Sequence, residues 1–359
     1  MSKLSRNQLL SRRGFIRSGA RGVEWLAAGS AFATVSSRFA VVESGAPGAN
    51  RLTYDAAPLR KTDPKLIQYE QVGVYPLRRK EARRVAIGPD DHLFIAAGNR
   101  VIEIEGNGTP GPELILNSPA RCLAIAADGA LYLGLRDHVE IHDRNGQCLA
   151  SWDSPGKQPF FTGLAIGEND VFLADAGNRI VWRYDKSGKL AGRIGEKNPA
   201  RNIPGFIVPS PFFDVELARD GLLRVTNPGR HRVEIYTVDG DLEFAWGNPS
   251  MAITGFCGCC NPINLALLPD GRCVTFEKGL PRAKVYSPTG AFESVVAGAE
   301  AFMENAKACG PDSCSLGGLD GVVDSQGRIL ILDLVAGNVR VMQRKQDHEL
   351  PGESNSAAQ

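Results

Sequence analysis

The sequence predicts an all-β fold, a six-bladed β-propeller closed by an N-terminal strand. Three observations carry this prediction: a six-fold repeat, a glycine-rich turn that recurs inside it, and one strand left over before the first repeat. Each repeat has an apolar triplet, a turn that usually contains Asp-Gly, an alternating β run, a second turn and another β run. A unit of this kind, about 40 residues long with four short strands, is typical of a propeller blade. The last apolar residues before the first turn are Ile87, Ile125, Ile166, Leu217, Leu267 and Val323.

The third repeat displays the strand pattern most clearly. It reads GLAIGENDVFLADAGNRIVWRYDKSGKLAGRIG, with turns at Asn169-Asp170 and Ser187-Gly188. Apolar residues alternate with polar ones over runs of four to six positions between these turns. Such period-two runs separated by turn residues are antiparallel strands.

Counting strands predicts how the ring closes. Blades one to five each have a candidate outer strand, whereas blade six ends near Arg344 without one. The lone run Leu66–Tyr69 precedes blade one, so we expect it to pair with blade six and cover an open sheet edge. The five candidate outer strands are Glu113–Leu116, Cys148–Trp152, Leu190–Ile194, Leu242–Trp246 and Phe292–Val296.

The glycine-rich turn gives the repeat a family resemblance. Ala-Gly-Asn occurs at 97–99, 176–178 and 336–338, and Arg100 and Arg179 follow two of these turns. Together with Ala174-Asp175, this pattern resembles the NHL repeat. The resemblance covers about residues 66–345 and implies the NHL type of six-bladed propeller, although blades four and five match poorly at the Asn-Arg turn.

The N-terminus has the character of an export signal. Residues 11–17 read SRRGFIR, and Arg12-Arg13 followed by Phe15-Ile16 resembles the bacterial twin-arginine signal. We therefore expect a signal region at 1–40, a linker at 41–65, the propeller at 66–345 and a disordered tail at 346–359. The resemblance implies a periplasmic protein, held at the membrane only if the signal is not cleaved.

Composition excludes one class of partner. The chain has 41 Lys and Arg against 40 Asp and Glu, a formal net charge of +1. Nucleic-acid binding usually requires a strongly basic surface, so we expect no nucleic-acid partner. A hydrophobic content of 43% is that of an ordinary globular protein.

Long loops mark one face of the predicted propeller. The connections from each outer strand to the next inner strand all lie on the same face around the channel. Four are long, and a purely structural propeller would need only short ones. We therefore expect a functional site on this face. The four loops are Ser154–Phe161, Glu196–Phe212, Asn248–Pro262 and Gly298–Leu316.

Two of these loops carry five of the eight cysteines. Cys257, Cys259 and Cys260 lie in the loop before blade five, and Cys309 and Cys314 lie in the loop before blade six. Three hypotheses stay open: a thiolate-bound metal or iron–sulfur cluster, disulfides in an oxidising periplasm, or reduced and inert thiols. The spacing matches no standard ferredoxin or zinc-finger pattern.

The other three cysteines are expected to lie apart from this group. Cys273 aligns with Leu131, a core position, and Cys148 begins an outer strand. Cys122 starts an inner strand, within reach of the channel.

The channel provides an alternative metal site. Asp214, Asn264 and Asp320 occupy equivalent inner-strand positions of blades four, five and six. Their hard oxygen ligands suit calcium and would fit a lactonase- or lyase-like hydrolase. The five histidines are scattered, and only His138 and His231 fall near turns on the cysteine-bearing face.

The leading functional hypothesis is an exported accessory protein that binds a thiolate-ligated cofactor for electron transfer or as a binding scaffold. It would work with a periplasmic protein or redox partner. The alternatives are a channel-site hydrolase or lyase with a divalent metal, and a disulfide-braced interaction module. Whether the protein is an enzyme is left open by the sequence, which has no nucleophile elbow, phosphate loop or zinc-protease motif.

Overall fold

The repeats fold into six four-stranded antiparallel sheets arranged in a ring, as the sequence predicts. The computed structural model describes residues 57–77, 81–302 and 318–346. The predicted signal region and tail therefore lie outside the described residues, except for Gln346 at the start of the tail. None of the helices in the described ranges has the length and apolar character needed to cross a membrane.

Blades one to five each form from four consecutive strands. Blade one contains β2 (Ala82–Ile87), β3 (Leu93–Ala97), β4 (Arg100–Ile104) and β5 (Pro110–Ile115). Blade two contains β6 (Cys122–Ile125), β7 (Leu131–Gly134), β8 (His138–His142) and β9 (Cys148–Asp153). Blade three contains β10 (Phe161–Ile166), β11 (Asp170–Asp175), β12 (Ile180–Asp185) and β13 (Leu190–Ile194). Blade four contains β14 (Val215–Leu217), β15 (Leu223–Asn227), β16 (Arg232–Tyr236) and β17 (Leu242–Trp246). Blade five contains β18 (Asn264–Leu267), β19 (Cys273–Phe276), β20 (Ala283–Tyr286) and β21 (Phe292–Ala297).

Blade six joins the two ends of the propeller. It contains β22 (Leu319–Val323), β23 (Ile329–Asp333) and β24 (Asn338–Arg344), and its outer strand is β1 (Tyr69–Pro76). The pairing of β1 with β24 is antiparallel and runs from Tyr69 opposite Arg344 to Pro76 opposite Asn338. Closure by an N-terminal strand is therefore correct.

The closing strand begins later in the chain than the sequence predicts. Leu66 ends a short 3-10 turn at Pro64–Leu66, and the strand begins at Tyr69, where the predicted run ends. The reason is local: Asp63 caps the turn by accepting a hydrogen bond from the backbone N–H of Lys65. The remaining 3-10 turns of the described chain are Ala57–Arg60, Pro199–Arg201, Pro228–Arg230 and Ala299–Phe302.

The hydrophobic core of the described residues has six main parts, one between each pair of adjacent blades, and a small seventh cluster at Cys257, Leu280 and Ala299. Between blades three and four, for example, Phe172 and Ala174 pack with Phe213 and Val225. Between blades six and one, Leu332 and Val339 of one sheet join Ile95 and its neighbours in the other. Each blade therefore buries both faces of its sheet, which matches the near-continuous burial of middle strands such as β3, β7, β11, β15, β19 and β23.

The recurring turn is held by an acidic side chain. Asp175 is fully buried at the end of β11, and its Oδ1 accepts hydrogen bonds from the backbone N–H groups of Phe160, Gly177 and Asn178. Its Oδ2 accepts from the indole N–H of Trp182. Asp333 has the same place in blade six and accepts from the N–H groups of the turn that follows it. This explains why an acidic residue precedes the turn in these two blades.

Deleting residues 66–76 should open the ring, because β24 would lose its partner and become an exposed edge strand. We expect a marked fall in melting temperature and concentration-dependent association, measured by thermal denaturation and size-exclusion chromatography. Val72→Ser in the full chain is the matched control, because that side chain is half exposed and the change keeps the backbone pairing. A deletion variant that stays monomeric with the melting temperature of the full chain would contradict the closure role.

Candidate functional site

Side chains from four blades meet at one arginine at the centre of the ring. Arg84 of β2 donates through Nη2 to Oδ1 of Asp214 at 2.8 Å, and its Nη1 lies 3.3 Å from Oδ1 of Asp320. Nη1 also donates to Oδ1 of Asn264. The three residues predicted to share a channel site are therefore brought together, with a guanidinium between them. Calcium binding by these residues stays a prediction, and it would require Arg84 to move.

The same side chains link each inner strand to the next blade. Asp214 accepts through Oδ2 from the backbone N–H of Leu265 at 3.1 Å, and Asn264 donates to the carbonyl of Leu319 at 2.8 Å. Asp320 accepts from the N–H of Val85 at 2.8 Å. These three bonds join blades four, five, six and one in sequence, so the polar cluster also has a structural role.

Repeat geometry explains why these residues meet. Arg84, Asp214, Asn264 and Asp320 each lie three positions before a repeat anchor, and blade three has Gly163 at the same place. A Cβ atom on Gly163 would collide with the Asp214 carboxylate. Glycine at this position therefore makes room for the ion pair.

The cluster has more carboxyl groups than cations. Burial raises the pKa of Asp214 and raises that of Asp320 to about 6, while Arg84 opposes both shifts. Burial, reinforced by the nearby Asp214, also raises the pKa of Glu216 well above its usual range. One guanidinium cannot neutralise three carboxylates at low dielectric, so protonation of a carboxyl group is favoured here.

A cavity of about 520 Å³ opens above the cluster. Its lining includes Arg84 and Asn264 from the cluster, together with Arg83, Arg121 and Glu81. Two of the long predicted loops contribute Phe160 and Phe212 to its wall, as expected for a site on the loop-rich face. Its size is within the range of small-molecule pockets.

Arg121 is the most unusual group in this lining. Its guanidinium lies 4.0 Å from the centre of the Phe160 ring, and its Nη1 is buried without a hydrogen-bond partner among the described residues. Burial lowers its pKa, and the neighbouring positive charges of Arg83 and Arg136 lower it further. An arginine remains protonated at neutral pH in spite of such a shift. The cavity therefore contains a charged group with unused hydrogen-bonding capacity.

The loop before blade five carries Cys257, Cys259 and Cys260, and we call it the thiol loop. It lies next to this cavity. Ser210 donates to the sulfur of Cys260 at 3.3 Å, and the next two residues, Pro211 and Phe212, line the cavity. The Cys259 and Cys260 sulfurs are 3.1 Å apart. Burial raises the pKa of Cys260, but bonding from Ser210, the neighbouring Cys259 and the Lys278 ammonium together bring it below its usual value.

Cys257 differs from the other two cysteines of the loop. It is buried, and its thiol lies 3.6 Å from Oε2 of Glu277. Burial and this carboxylate raise its pKa to about 11, which favours the protonated thiol. The other two residues of the predicted five-thiol set, Cys309 and Cys314, lie outside the described residues.

The remaining cysteines lie at three separate places. Cys273 is a buried core residue between blades four and five, as predicted. Cys122 is fully buried beside the central cluster, and burial raises its pKa to about 12. Cys148 is exposed at the start of β9.

The described histidines lie outside the cavity lining. His231 bonds to the carbonyl of Gly258 in the thiol loop at 2.9 Å, and His92 lies 2.6 Å from Glu103 on blade one. His138 and His142 lie on blade two. A histidine-based zinc site in the channel is therefore absent from the described lining.

Sequence reasoning missed Arg84, Arg121 and Glu216. The signal for Arg84 was present, because it occupies the repeat position that picked out Asp214. Arg121 directly precedes an inner strand, but its charge becomes significant only when Arg83 of the neighbouring blade lies beside it.

Replacing Arg84 by methionine should leave two buried carboxylates without a counter-charge. We expect the free energy of unfolding at pH 7 to fall by about 3–5 kcal/mol in urea denaturation. The loss should be smaller at pH 5. Without Arg84 the pKa of Asp320 should rise further above 6, so the folded variant binds protons that the unfolded chain does not, and its stability falls as pH rises.

A double variant separates charge from packing in this experiment. Arg84→Met with Asp320→Asn should recover part of the lost stability, whereas the exposed-site control Arg201→Met should change it by less than about 0.5 kcal/mol. An equal loss at both pH values, with no recovery in the double variant, would contradict the electrostatic role.

This chain is similar to known proteins in its three-dimensional structure. No protein-family model matches the sequence, and no curated protein matches it. A streptogramin B lyase structure is 12% identical, with a TM-score of 0.55, and the match covers 77% of this chain and 98% of that chain. A catalytically inactive variant of virginiamycin B lyase from Staphylococcus aureus with quinupristin is 12% identical, with a TM-score of 0.52, covering 75% of this chain and 83% of its own.

A selenomethionine-substituted virginiamycin B lyase from the same organism is 13% identical, with a TM-score of 0.52. That match covers 77% of this chain and 100% of the lyase chain. At these identities the similarity extends to the fold alone, and this chain has the propeller fold of those lyases.

Proposed function

We propose that the protein binds an anionic small molecule at the loop-rich mouth of its channel. The observation that carries this proposal is Arg121, a partly buried cation with an unpartnered Nη1 in a 520 Å³ cavity. A buried donor without a partner costs about 1–3 kcal/mol, and a ligand oxygen at that place would recover this cost.

Charge favours an anion over a neutral ligand. The charge of Arg84 is offset by Asp214 and Asp320, whereas Arg83 and Arg121 have no ion-pair partner among the described residues. Glu81 is the one acidic group of the described cavity lining. Carboxylates and phosphates match the planar donor array of arginine.

The aromatic wall favours a ligand with an apolar or aromatic part. Phe160 and Phe212 are half-buried in the lining, and each already has a cation over its face: Arg121 at 4.0 Å and Lys278 at 4.7 Å. A ring attached to the anionic group could pack against these side chains while its charge meets Arg121.

A hydrolase or lyase with a divalent metal is the alternative proposal for the same channel. The structural neighbours are lyases, and one of them was solved with quinupristin, so a propeller of this shape can carry a lyase site. In this chain the described cavity lining contains neither histidine nor cysteine, and Arg84 lies between Asp214, Asn264 and Asp320. These features support binding more directly than catalysis.

Binding can be tested with three ligands that share one ring and differ in charge: benzoate, benzamide and benzamidinium. By calorimetry, benzoate should bind, benzamide should bind more weakly, and benzamidinium should not bind. Arg121→Gln should raise the Kd of benzoate about tenfold or more, since a lost charged hydrogen bond is worth about 1.5–3 kcal/mol. Arg201→Gln, on the outer surface beside Asp241, is the matched control. Equal Kd values for all three ligands, or for wild type and Arg121→Gln, would refute the proposal.

The thiol loop supports a second candidate function, the binding of a metal or iron–sulfur cofactor for electron transfer with a periplasmic partner. The specific observation is the close pair Cys259 and Cys260, with a lowered pKa at Cys260. Thiolate, rather than thiol, is the form that binds metals. In this proposal Cys309 and Cys314 complete the ligand set with Cys257, whose thiol would have to lose its proton.

Cofactor binding can be tested by measuring iron, copper and zinc together with accessible thiols in natively exported protein. The cofactor proposal expects bound metal that Cys260→Ser sharply reduces and Cys273→Ser, at a core position, does not. A metal content that Cys260→Ser leaves unchanged, with few titratable thiols and a stability loss of about 2–4 kcal/mol in the cysteine variants, would favour disulfides and end the cofactor proposal.

The cellular location is a proposal of its own. Arg12 and Arg13 support export by the twin-arginine route, and both lie outside the described residues. A periplasmic location would be compatible with either a small anionic ligand or a redox partner.

A further inference from the structure

A second group of metal-binding side chains lies on blade two, away from the channel. His138, Glu140 and His142 alternate along β8, so their side chains point to the same face of the sheet. Cys148 begins the neighbouring strand β9 and pairs directly with His142. Residues paired across two strands share a face, so all four side chains meet on one side of blade two.

The distances among three of these residues suit one metal ion. The ligand atoms of Glu140, His142 and Cys148 all lie within 4.8 Å of one another. Nε2 of His142 is 2.8 Å from Oε2 of Glu140. Sulfur, imidazole nitrogen and carboxylate oxygen are the three ligand types that zinc takes in proteins, at about 2.0–2.3 Å each.

The hydrogen bond at the other ring nitrogen of His142 points to the same conclusion. Nδ1 lies 3.1 Å from the carbonyl oxygen of Gly146, which can only accept a hydrogen bond. A neutral imidazole has one N–H group, and here that group is at Nδ1. The lone pair of Nε2 therefore faces the Glu140 carboxylate. Either a proton or a metal ion has to lie between these two atoms. An Nδ1–H bond to a backbone carbonyl is the arrangement that orients metal-binding histidines.

His138 positions the carboxylate from the opposite side. Its Nε2 lies 3.2 Å from Oε1 of Glu140, and its Nδ1 lies 2.8 Å from Asp137. One carboxylate oxygen is thus held by His138, which leaves the oxygen beside His142 for a metal.

Exposure allows an ion to enter. His142 is buried, with 6% of its surface exposed, whereas Glu140 is half-buried and Cys148 is exposed. The Cys148 thiol donates to the carbonyl oxygen of Ala150 at 3.5 Å, and a bound ion would replace this contact.

We propose that Glu140, His142 and Cys148 form a zinc site on the outer part of blade two, with water as the fourth ligand and His138 as a positioning residue. Calcium and magnesium are disfavoured by the sulfur and nitrogen ligands. On binding, zinc displaces two protons, the one between His142 and Glu140 and the one on the Cys148 thiol, and both pass to solvent. This site is independent of the anion site proposed above.

Cobalt(II) titration of the metal-free full chain tests the proposal, because a cobalt–thiolate bond has a charge-transfer band in the near ultraviolet. Wild type should bind one cobalt ion that zinc displaces, and Cys148→Ser should lose the band of that ion. His142→Gln should raise the Kd at least tenfold. Cys259→Ser is the matched control, since it removes a thiol of the loop-rich face and should leave the blade-two band intact.

The variants also distinguish the proposal from a simple imidazolium–carboxylate pair. Cys148 is exposed, so Cys148→Ser should keep the wild-type melting temperature without metal and lose only the stabilisation that zinc gives. Unchanged cobalt binding in Cys148→Ser, or a band lost only in Cys259→Ser, would overturn the zinc site.

Discussion

Ring closure is the constraint on which the other features of this protein depend. The β1–β24 pairing joins the two ends of the propeller in one sheet, so the six inner strands surround a common axis. Asp214, Asn264 and Asp320 are about fifty residues apart from one another along the chain. The closed ring brings all three to Arg84 of the first blade. The guanidinium in turn joins blade one to blades four, five and six. Closure of the sheet and the central ion cluster therefore support each other, one at the rim of the ring and one at its centre.

Electrostatics differs between the depth of the channel and its mouth. At depth, three carboxyl groups face one guanidinium, and burial, together with this excess of carboxyl groups, raises the pKa values of Asp320 and Glu216. At the mouth the balance is reversed, because Arg83 and Arg121 lie together without acidic partners among the described residues. An anion entering the mouth would meet unpaired cations first and would be kept from the deeper carboxyl groups by Arg84. This gradient favours retention of an anion at the mouth over passage through the ring.

The two proposed metal sites, one in the thiol loop and one on blade two, differ in the backbone that holds their cysteines. Cys259 and Cys260 lie on the loop-rich face, joined to the channel mouth through Ser210 and the two residues after it. Cys148 lies on the outer part of blade two, where regular strand pairing places it opposite His142. The first region depends on irregular loop backbone, the second on the two-residue period of a sheet. Ligand binding at one of them need not affect the other, since blades three and four separate blade two from the loop that leads into blade five.

The sequence by itself determined the number of blades, the closure by an N-terminal segment, the loop-rich face and the equivalence of Asp214, Asn264 and Asp320. These follow from periodicity, which is local and repeats along the chain. β1 begins only at Tyr69 because the Asp63-capped turn occupies Pro64–Leu66. This local hydrogen bonding is not visible in the apolar periodicity of the sequence. The repeat position of Arg84 is visible in the sequence, but its role, like those of Arg121 and the His142–Cys148 pair, was decided by the tertiary structure. Their roles depend on which charges and ligand atoms come within a few ångströms across blades or strands, and register and ring geometry set those distances.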